Sequence, residues 1–415
     1  MTDAVQTVEE VARNSYGRLV AYLAARSRDL AAAEDALGDA FLAALDQWPR
    51  DGVPQKPEAW LLTAARRRMI DATRRTATAD AAFPALELAA RDAQRTADEV
   101  RDFPDERLGL LFCCAHPAID EAARTPLMLQ TVLGLDAARI AGAFLVAPAT
   151  MSQRLVRAKT KIRDAGVPFE IPSARELPER VQAVMDAIYA AYGTAWDDAF
   201  GADEKRRGLA DEAIWLARVL TDTMPENAEA HGLLALMLFC ESRRAARRSP
   251  SGVFVPLAEQ DVARWSAPMI ADAERALRRA SALNAPGRFQ IEAAIQSVHA
   301  QRLFGEPVRW DAVAMFYGSL VAIAPTAGAY VGMAAALGEA HGPDVGLTVL
   351  NGLSETDIVN YQPYWAVRGH LLARAGRAPE ARLAYGRAID LSDDVAVKDL
   401  LRARAESLSL GDSWR

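Results

Sequence analysis

Gln153, Arg154, Arg157 and Lys161 fall within nine residues of one another, in the stretch LDAARIAGAFLVAPATMSQRLVRAKTKIRDAG that begins at Leu135. Glutamine and arginine can pair with adenine and guanine edges through two hydrogen bonds each, and Lys159, Lys161 and Arg163 suit phosphate oxygens. Met151, Leu155, Ala158 and Ile162 recur at helical spacing and form one apolar stripe, so the polar four point away from it. Six basic residues oppose two acids from Asp136 to Asp164. Ile140 marks a short helix, residues 144–147 a turn, and Pro148 the start of a longer basic helix, which is the pattern of a DNA-binding helix-turn-helix. An exposed helix in an ordinary bundle would show the same charge without the preceding turn.

A second basic segment, PEAWLLTAARRRMIDATRR, sets five arginines against Glu58 and Asp71. On a helix that starts at Pro57, Leu61, Leu62, Ala65, Met69 and Ala72 cluster on one side. Arg67 and Arg74 lie opposite, with Trp60 beside them. Arginines next to an aromatic ring can hold a phosphate backbone and stack an unpaired base. The segment before it has the opposite sign: from Asp29 to Asp51 six acids face Arg50 alone. Leu37, Phe41 and Leu45, four residues apart, predict its core stripe and leave Asp35, Asp39 and Asp46 on other faces. Such acids fit either a solvated face or a basic protein partner.

Catalytic groups are scarce. Asp197-Asp198 in WDDAF lacks the third carboxylate and the second acidic motif that a metal-dependent prenyl-transfer enzyme would need. Cys113 and Cys114 are adjacent, and His116 precedes Pro117 at a helix junction, so packing accounts for them better than metal or redox chemistry. No enzyme activity, metal or cofactor is expected.

The elements that would carry these residues are helices. Alanine, leucine and arginine dominate and no strand-like alternation persists, so the fold class is all-α. At 415 residues, 51% hydrophobic and 25% charged, the chain is long enough for two to four domains. A formal charge of -7, taken as an average, argues against nucleic acid; the local segments show that it hides two basic helices. Three cysteines make no disulfide framework. MTDAVQTVEEVARN has no signal pattern and no apolar run spans a membrane, so a cytoplasmic protein without membrane contact is expected.

The expected domains are 1–76, a polar alanine-rich linker 77–105, 106–168, and 177–410 after the break Gly166-Val-Pro-Phe-Glu-Ile-Pro172. The last zone repeats weakly: Pro286, Pro325 and Pro363 each end a turn before a small-residue-rich helix, close to the spacing of helix-turn-helix solenoids. YWAVRGHLLARAGRAPEARLAYGRAIDL looks most like a tetratricopeptide unit, and such units offer a concave surface to a partner. The insertion RRAARRSPSGVFVPLAEQDVARW reads as a surface loop between repeats.

Taken in order, these pieces resemble the bacterial RNA polymerase sigma factors of the extracytoplasmic-function type, in the subgroup with a long C-terminal tetratricopeptide-like extension. Residues Asn14 to Arg75, with AEDALGDAFLAALDQWP and PEAWLLTAARRRMIDATRR, look like sigma region 2. DERLGLLFCCAHPAI and the stretch from Leu135 through Phe169 look like region 4. The resemblance implies that Asp35, Asp39 and Gln47 bind core RNA polymerase. It implies that Trp60, Arg66, Arg67 and Arg74 serve the minus-10 promoter element, and Thr150, Gln153, Arg154, Arg157 and Lys161 the minus-35 element. Relatives carry an Asn-Glu-Gly-Tyr stretch where this chain reads AAYGTAWDDAF, and an Asp-Gln-Asp-Arg pattern where it reads EQDVARW. Glu259, Gln260, Asp261 and Trp265 are therefore candidates for regulatory contacts, alongside an intramolecular contact of the extension with the sigma zones.

A helix-turn-helix activator or repressor with a repeat sensor is the main alternative, separated by whether core polymerase binds. Linker 77–105 reaches at most roughly 100 Å when extended. Two promoter elements one and a half to two turns of DNA apart lie roughly 50 to 70 Å from each other.

Overall fold

Helix boundaries follow the punctuation of the sequence. In the computed structural model the first helix stops at Ser27, Arg28 takes φ +55°, and Asp29 caps the next helix, its Oδ1 accepting from the Ala32 amide at 3.0 Å. The structure describes residues 2–76, 106–196 apart from 133, 145, 168, 170, 171 and 174, then 204–354 and 358–410. Among them the architecture is all-α, with one isolated bridge between Arg248 and Phe254 in place of any strand. The chain divides into two units, Met1–Leu216 and Ala217–Arg415.

The first unit opens with α1 (Thr2–Ser27), α2 (Leu30–Asp51) and α3 (Pro57–Thr76), which pack on one another. Gly52, at φ +88°, stops α2 and returns its amide to the Trp48 carbonyl at 3.0 Å. The core of this trio is Leu19, Tyr22 and Leu23 from α1, Leu61 and Ala65 from α3, and a stripe Leu30, Ala33, Leu37, Ala40, Ala44 and Trp48 along α2. That stripe differs from the expected one, since Leu45 is 41% exposed. The buried face is centred between Ala33, Leu37, Ala40 and Ala44, so Phe41 falls at its edge and Leu45, about 100° round the helix from Ala44, points outward. Alanines 33, 40 and 44 hold the seam instead, their small side chains letting neighbouring backbones come close.

Next come α4 (Arg107–Cys114), α5 (Glu121–Thr131), α6 (Ala137–Ala143) and α7 (Pro148–Asp164). Asp120 caps α5 through the Ala122 amide at 2.9 Å, and Pro148 opens α7, where a missing N–H costs nothing. Met151, Leu155, Ala158 and Ile162 are buried, as the apolar stripe requires. Two further helices complete the unit, α8 (Leu177–Trp196) and most of α9 (Glu204–Thr223). Val184, Met185 and Ile188 bury α8, which packs on α4 and α5. Arg180 is 4% exposed and donates to the Phe112 carbonyl at 3.2 Å. Arg107 of α4, also buried, pairs with Glu212 of α9 and stacks on Trp215, its guanidinium 3.9 Å from the ring centre. The expected break at residues 166–172 therefore falls inside the first unit, and the division lies within α9.

The second unit is a run of helix pairs: α10 (Ala228–Glu241) with α11 (Ala267–Ala282), α12 (Arg288–Ala300) with α13 (Trp310–Ile323), α14 (Ala327–His341) with α15 (Pro343–Asn351), and α16 (Gln362–Arg374) with α17 (Ala378–Asp390). Helix α18 (Val395–Leu410) packs on α17. Pro225, Pro286, Pro325 and Pro363 each stand at the entry to the first helix of a pair. Helix α10 is buried nearly all round, and Gly232 lets α12 approach it; a Cβ there would sit 2.6 Å from the Gln290 amide nitrogen. Glu229 of α10 accepts from the Phe289 and Gln290 amides at 2.9 and 3.0 Å, capping α12 from a neighbouring helix. Burial pushes its carboxyl above the ordinary range, while those two amides pull the other way.

The insertion is not a loose surface loop. It forms three single 3₁₀ turns, at Arg244–Ala246, Leu257–Glu259 and Val262–Arg264. Arg302 donates to the Leu257 and Gln260 carbonyls at 2.6 and 3.1 Å, and Arg248 pairs with Asp394 at 2.8 Å.

Candidate functional site

Three faces of the first unit carry the residues of interest. On α7, at about 100° per residue, Thr150, Gln153, Arg157 and Lys161 lie opposite the buried stripe, and all four are exposed. They line a groove of about 510 Å³ whose far wall is Ala118, Ile119, Asp120 and Ala123. Arg154 lines the same groove but is half-buried, and its Nη1 donates to the Ala122 carbonyl at 3.3 Å. It therefore braces α7 against α5, whereas Gln153, Arg157 and Lys161 present free-standing donors at the groove mouth.

On α3, Arg67 and Arg68 are exposed, and Arg68 lies 3.7 Å from Asp39 of α2. Arg66 turns inward to the Tyr22 hydroxyl, its guanidinium 5.0 Å from that ring centre. Trp60 is half-buried and meets buried Trp48 edge to face, with 5.5 Å between centroids and 71° between planes. Its ring is thus supported from behind by the core. The side chain of Arg74 lies outside the described residues.

On α2, Asp35, Asp39 and Asp46 share an exposed face with Leu42, which is 66% exposed. Apolar surface set among carboxylates is suited to a protein partner with a basic, partly apolar face. Gln47 is exposed on a different side, about 80° or more from that face around the helix.

The structure joins two of these helices through residues that the patterning did not single out as a pair. Glu34, on the flank of α2, meets Lys159 of α7 at 2.7 Å; their side chains are 11% and 18% exposed. Burial pushes the Glu34 carboxyl up from the usual carboxylate range, and Lys159 offsets part of that rise. Tyr16, Glu34, Asp35, Gln130 and Lys159 line a groove of about 320 Å³ along this seam. Burial, then the two carboxylates, raise the Tyr16 hydroxyl so that it stays protonated. Glu34 and Lys159 are 125 positions apart, and no local periodicity connects them.

The insertion residues have structural partners. Glu259 pairs with Arg404 at 2.9 Å, and Asp261 caps a 3₁₀ turn through the Ala263 amide at 3.0 Å. Gln260 and Trp265 are buried, with Arg302 set over the indole ring. Cys113 and Cys114 are fully buried, and burial raises both thiols, Cys114 to about 12. Among the described residues no group of three or more His, Cys, Asp or Glu could hold a metal ion. No described helix is long and apolar enough to cross a membrane.

Residues 12–78, which run from within α1 to the end of α3, match the family model of sigma-70 region 2. That segment is thus similar to region 2 of the sigma-70 factors. Sigma-70 region 2 suggests a sigma factor for promoter recognition and transcription initiation. Residues 180–281 match a family of unknown function, covering α8 through α11. An uncharacterized protein of Rhizobium meliloti (strain 1021) is 36% identical over 388 residues, spanning 92% of this chain and 91% of its own length. The two belong to one family along nearly their whole length, so the helices after residue 78 are shared between them. No solved structure matches this chain.

Proposed function

We propose that the protein is a sigma factor of the extracytoplasmic-function type, acting in the cytoplasm, whose C-terminal tetratricopeptide-like helices regulate it. In this reading, residues 1–76 form region 2, 77–105 the linker, 106–168 a region 4 helix-turn-helix, and 177–410 the regulatory extension. The exposed face of α2 with Asp35 and Asp39, together with Gln47, docks on core RNA polymerase. Trp60, Arg66, Arg67 and Arg74 of α3 engage the minus-10 element, and Thr150, Gln153, Arg154, Arg157 and Lys161 engage the minus-35 element. Glu259, Gln260, Asp261 and Trp265 act in regulation by holding the insertion in one shape.

The observation that carries this reading is the region 2 match at residues 12–78, followed in the same chain by a short helix, a turn and the outward-facing polar row of α7. The physics is compatible. Stacking worth roughly 1 to 3 kcal/mol per captured base offsets much of the cost of opening a duplex, and no bond is made or broken by the factor itself. Run-off transcription with purified core polymerase and this protein alone is the test. Specific transcripts from a promoter selected from genomic fragments are expected; an activator or repressor would give none until another sigma factor is added.

A further inference from the structure

We propose that the second unit holds a site for a small oxyanion, a phosphoryl or carboxylate group, where Arg243, His299 and Arg302 meet beside the insertion. The inference goes beyond the sigma-factor reading and does not depend on it. Arg243 follows the end of α10, and its Nη2 donates to Gln296 Oε1 of α12 at 2.7 Å. That bond sets the guanidinium against the face of α12 on which His299 stands three residues later. Arg302 comes three residues further on, in the 3₁₀ turn Gln301–Phe304 that continues α12, and reaches the Leu257 and Gln260 carbonyls of the insertion. Trp265 of the insertion takes that guanidinium over its ring, 5.3 Å from the centroid, and Trp310 of α13 meets the His299 imidazole edge to face, with 5.4 Å between centroids.

The cluster is rich in donors and poor in acceptors. Arg243 and His299 are each 8% exposed. Arg243 commits Nε to the Phe239 carbonyl and Nη2 to Gln296 and the Cys240 sulfur, which leaves its Nη1 hydrogens. Arg302 uses one hydrogen on each Nη and keeps Nε and the others. The Trp265 indole N–H is buried without an acceptor, at a residue 5% exposed, whereas a buried indole N–H ordinarily finds one. Among the described residues no carboxylate pairs with either guanidinium, and none accepts from the His299 imidazole. One acceptor, Gln260 Oε1, is likewise buried and unpartnered, and it suits a ligand that carries a hydroxyl or an acid proton beside its charged oxygens.

Charge points the same way. Burial, then Arg243 and Arg302, hold the His299 imidazole down at about 4, and burial and Arg243 hold the Arg302 guanidinium below its ordinary range. Two guanidiniums that repel each other where water is scarce are stabilised by an anion placed between them, since charge-assisted hydrogen bonds are strongest there. The planar fork of arginine fits the paired oxygens of phosphate and carboxylate alike. Burial of the cluster selects a small group over a macromolecular surface. Because Arg302 also holds the Leu257 and Gln260 carbonyls, an anion gathered there would fasten the insertion to the end of α12.

Anion titration of the full-length protein tests this. Sodium phosphate and, separately, sodium succinate are compared with sodium chloride at matched ionic strength and pH. The readout is the indole N–H resonance of Trp265, assigned by its loss in Trp265→Phe. An oxyanion should shift it along a saturating curve at millimolar concentration, and whether phosphate or succinate does so names the ligand class. Arg302→Gln and Arg243→Gln should each weaken that binding by about 10-fold or more. Arg244→Gln, which removes a nearby guanidinium tied to Glu241, should leave it unchanged. Circular dichroism identifies a variant that has simply unfolded. Trp265→Phe, which keeps a ring and removes the N–H, then carries the test by calorimetric titration and should bind more weakly than the parent. A Trp265 resonance that moves no further with either oxyanion than with chloride overturns the site, as does binding that folded Arg302→Gln and Arg243→Gln both leave intact. No measurement involves polymerase or DNA, so the result is independent of the sigma-factor reading.

Discussion

Gly17→Ala separates two physical effects that act on the same residue in opposite directions. Gly17 lies well inside α1, where alanine is favoured over glycine by about 0.8 to 1.0 kcal/mol because the backbone loses less entropy. If the seam did not exist in solution, the substitution would stabilise the protein by that amount. In the structure, however, the new Cβ would sit 1.8 Å from the Val132 oxygen and 2.8 Å from its carbon, and both are backbone atoms that cannot rotate away. Ordinary contact between a carbon and an oxygen needs about 3.3 Å, so α1 and the end of α5 must part by roughly 1.5 Å. Gaps of 0.5 to 1 Å already forfeit a quarter to a half of each dispersion contact, and overpacking of this kind costs about 1 to 3 kcal/mol. That cost falls on the contact between α1 and the end of α5 and corresponds to about a 5- to 150-fold loss of the packed arrangement, while the helix gain falls on α1 whether or not it is packed. Gly38→Ala in α2 is the matched control, because a Cβ there meets nothing within 4 Å. The assay is hydrogen exchange at the Val132 and Gly134 amides. Gly17→Ala should accelerate exchange, and Gly38→Ala should not while raising the denaturation midpoint. If Gly17→Ala behaves like Gly38→Ala, the packing of α1 against the end of α5 does not hold in solution.

Other outcomes follow from single contacts. Arg157→Ala should weaken binding to a minus-35 duplex by about 1 to 3 kcal/mol or lower the salt slope by about 1, depending on whether it meets a base or a phosphate. Arg154→Ala, whose guanidinium is tied to the Ala122 carbonyl, should cost less, and both should leave polymerase affinity unchanged in gel-shift and pull-down assays. Arg107→Ala leaves Glu212 and Trp215 without their buried cation and should lower the unfolding free energy of the first unit by about 3 kcal/mol in urea titrations. His299 of the second unit is pushed down to about 4 by burial, then by Arg243 and Arg302, against about 6.5 when unfolded. The unfolded chain binds the extra proton first, so stability is complete above pH 6.5 and falls by about 3 kcal/mol in all as pH drops toward 4. His299→Gln should flatten that slope in urea midpoints followed by fluorescence of Trp310, whose ring lies 5.4 Å from the imidazole.

How far the sequence reaches depends on whether the deciding interaction is local. The stripe Met151, Leu155, Ala158 and Ile162 needs only helical periodicity, and all four are buried. The prolines at 225, 286, 325 and 363 mark helix entries because proline cannot continue a helix it interrupts. Leu45 shows where the same reasoning fails: a four-residue repeat of large apolar side chains looked like a core stripe, but close approach of α1 and α3 favours the alanines one face over. Trp60 fails differently, since a ring predicted to stand beside arginines also finds Trp48 across a turn of sequence that no helical wheel includes. The insertion that widens the gap between Pro225 and Pro286 reads as a loop between repeats, yet two carbonyls in it are held by Arg302, some 40 residues later. The seam is the extreme case. Glu34 was one of six acids on a charged helix and Lys159 one of several bases on another, and each alone is an ordinary surface charge. Only the backbone contact at Gly17, which brings the region 2 helices against the end of α5, removes water from around that pair and turns two unremarkable charges into a matched one. The same step explains why net charge misleads for this chain. Acid and base are segregated along the sequence, and Glu34 of the acidic helix answers Lys159 of the basic one, so the average charge reports neither segment.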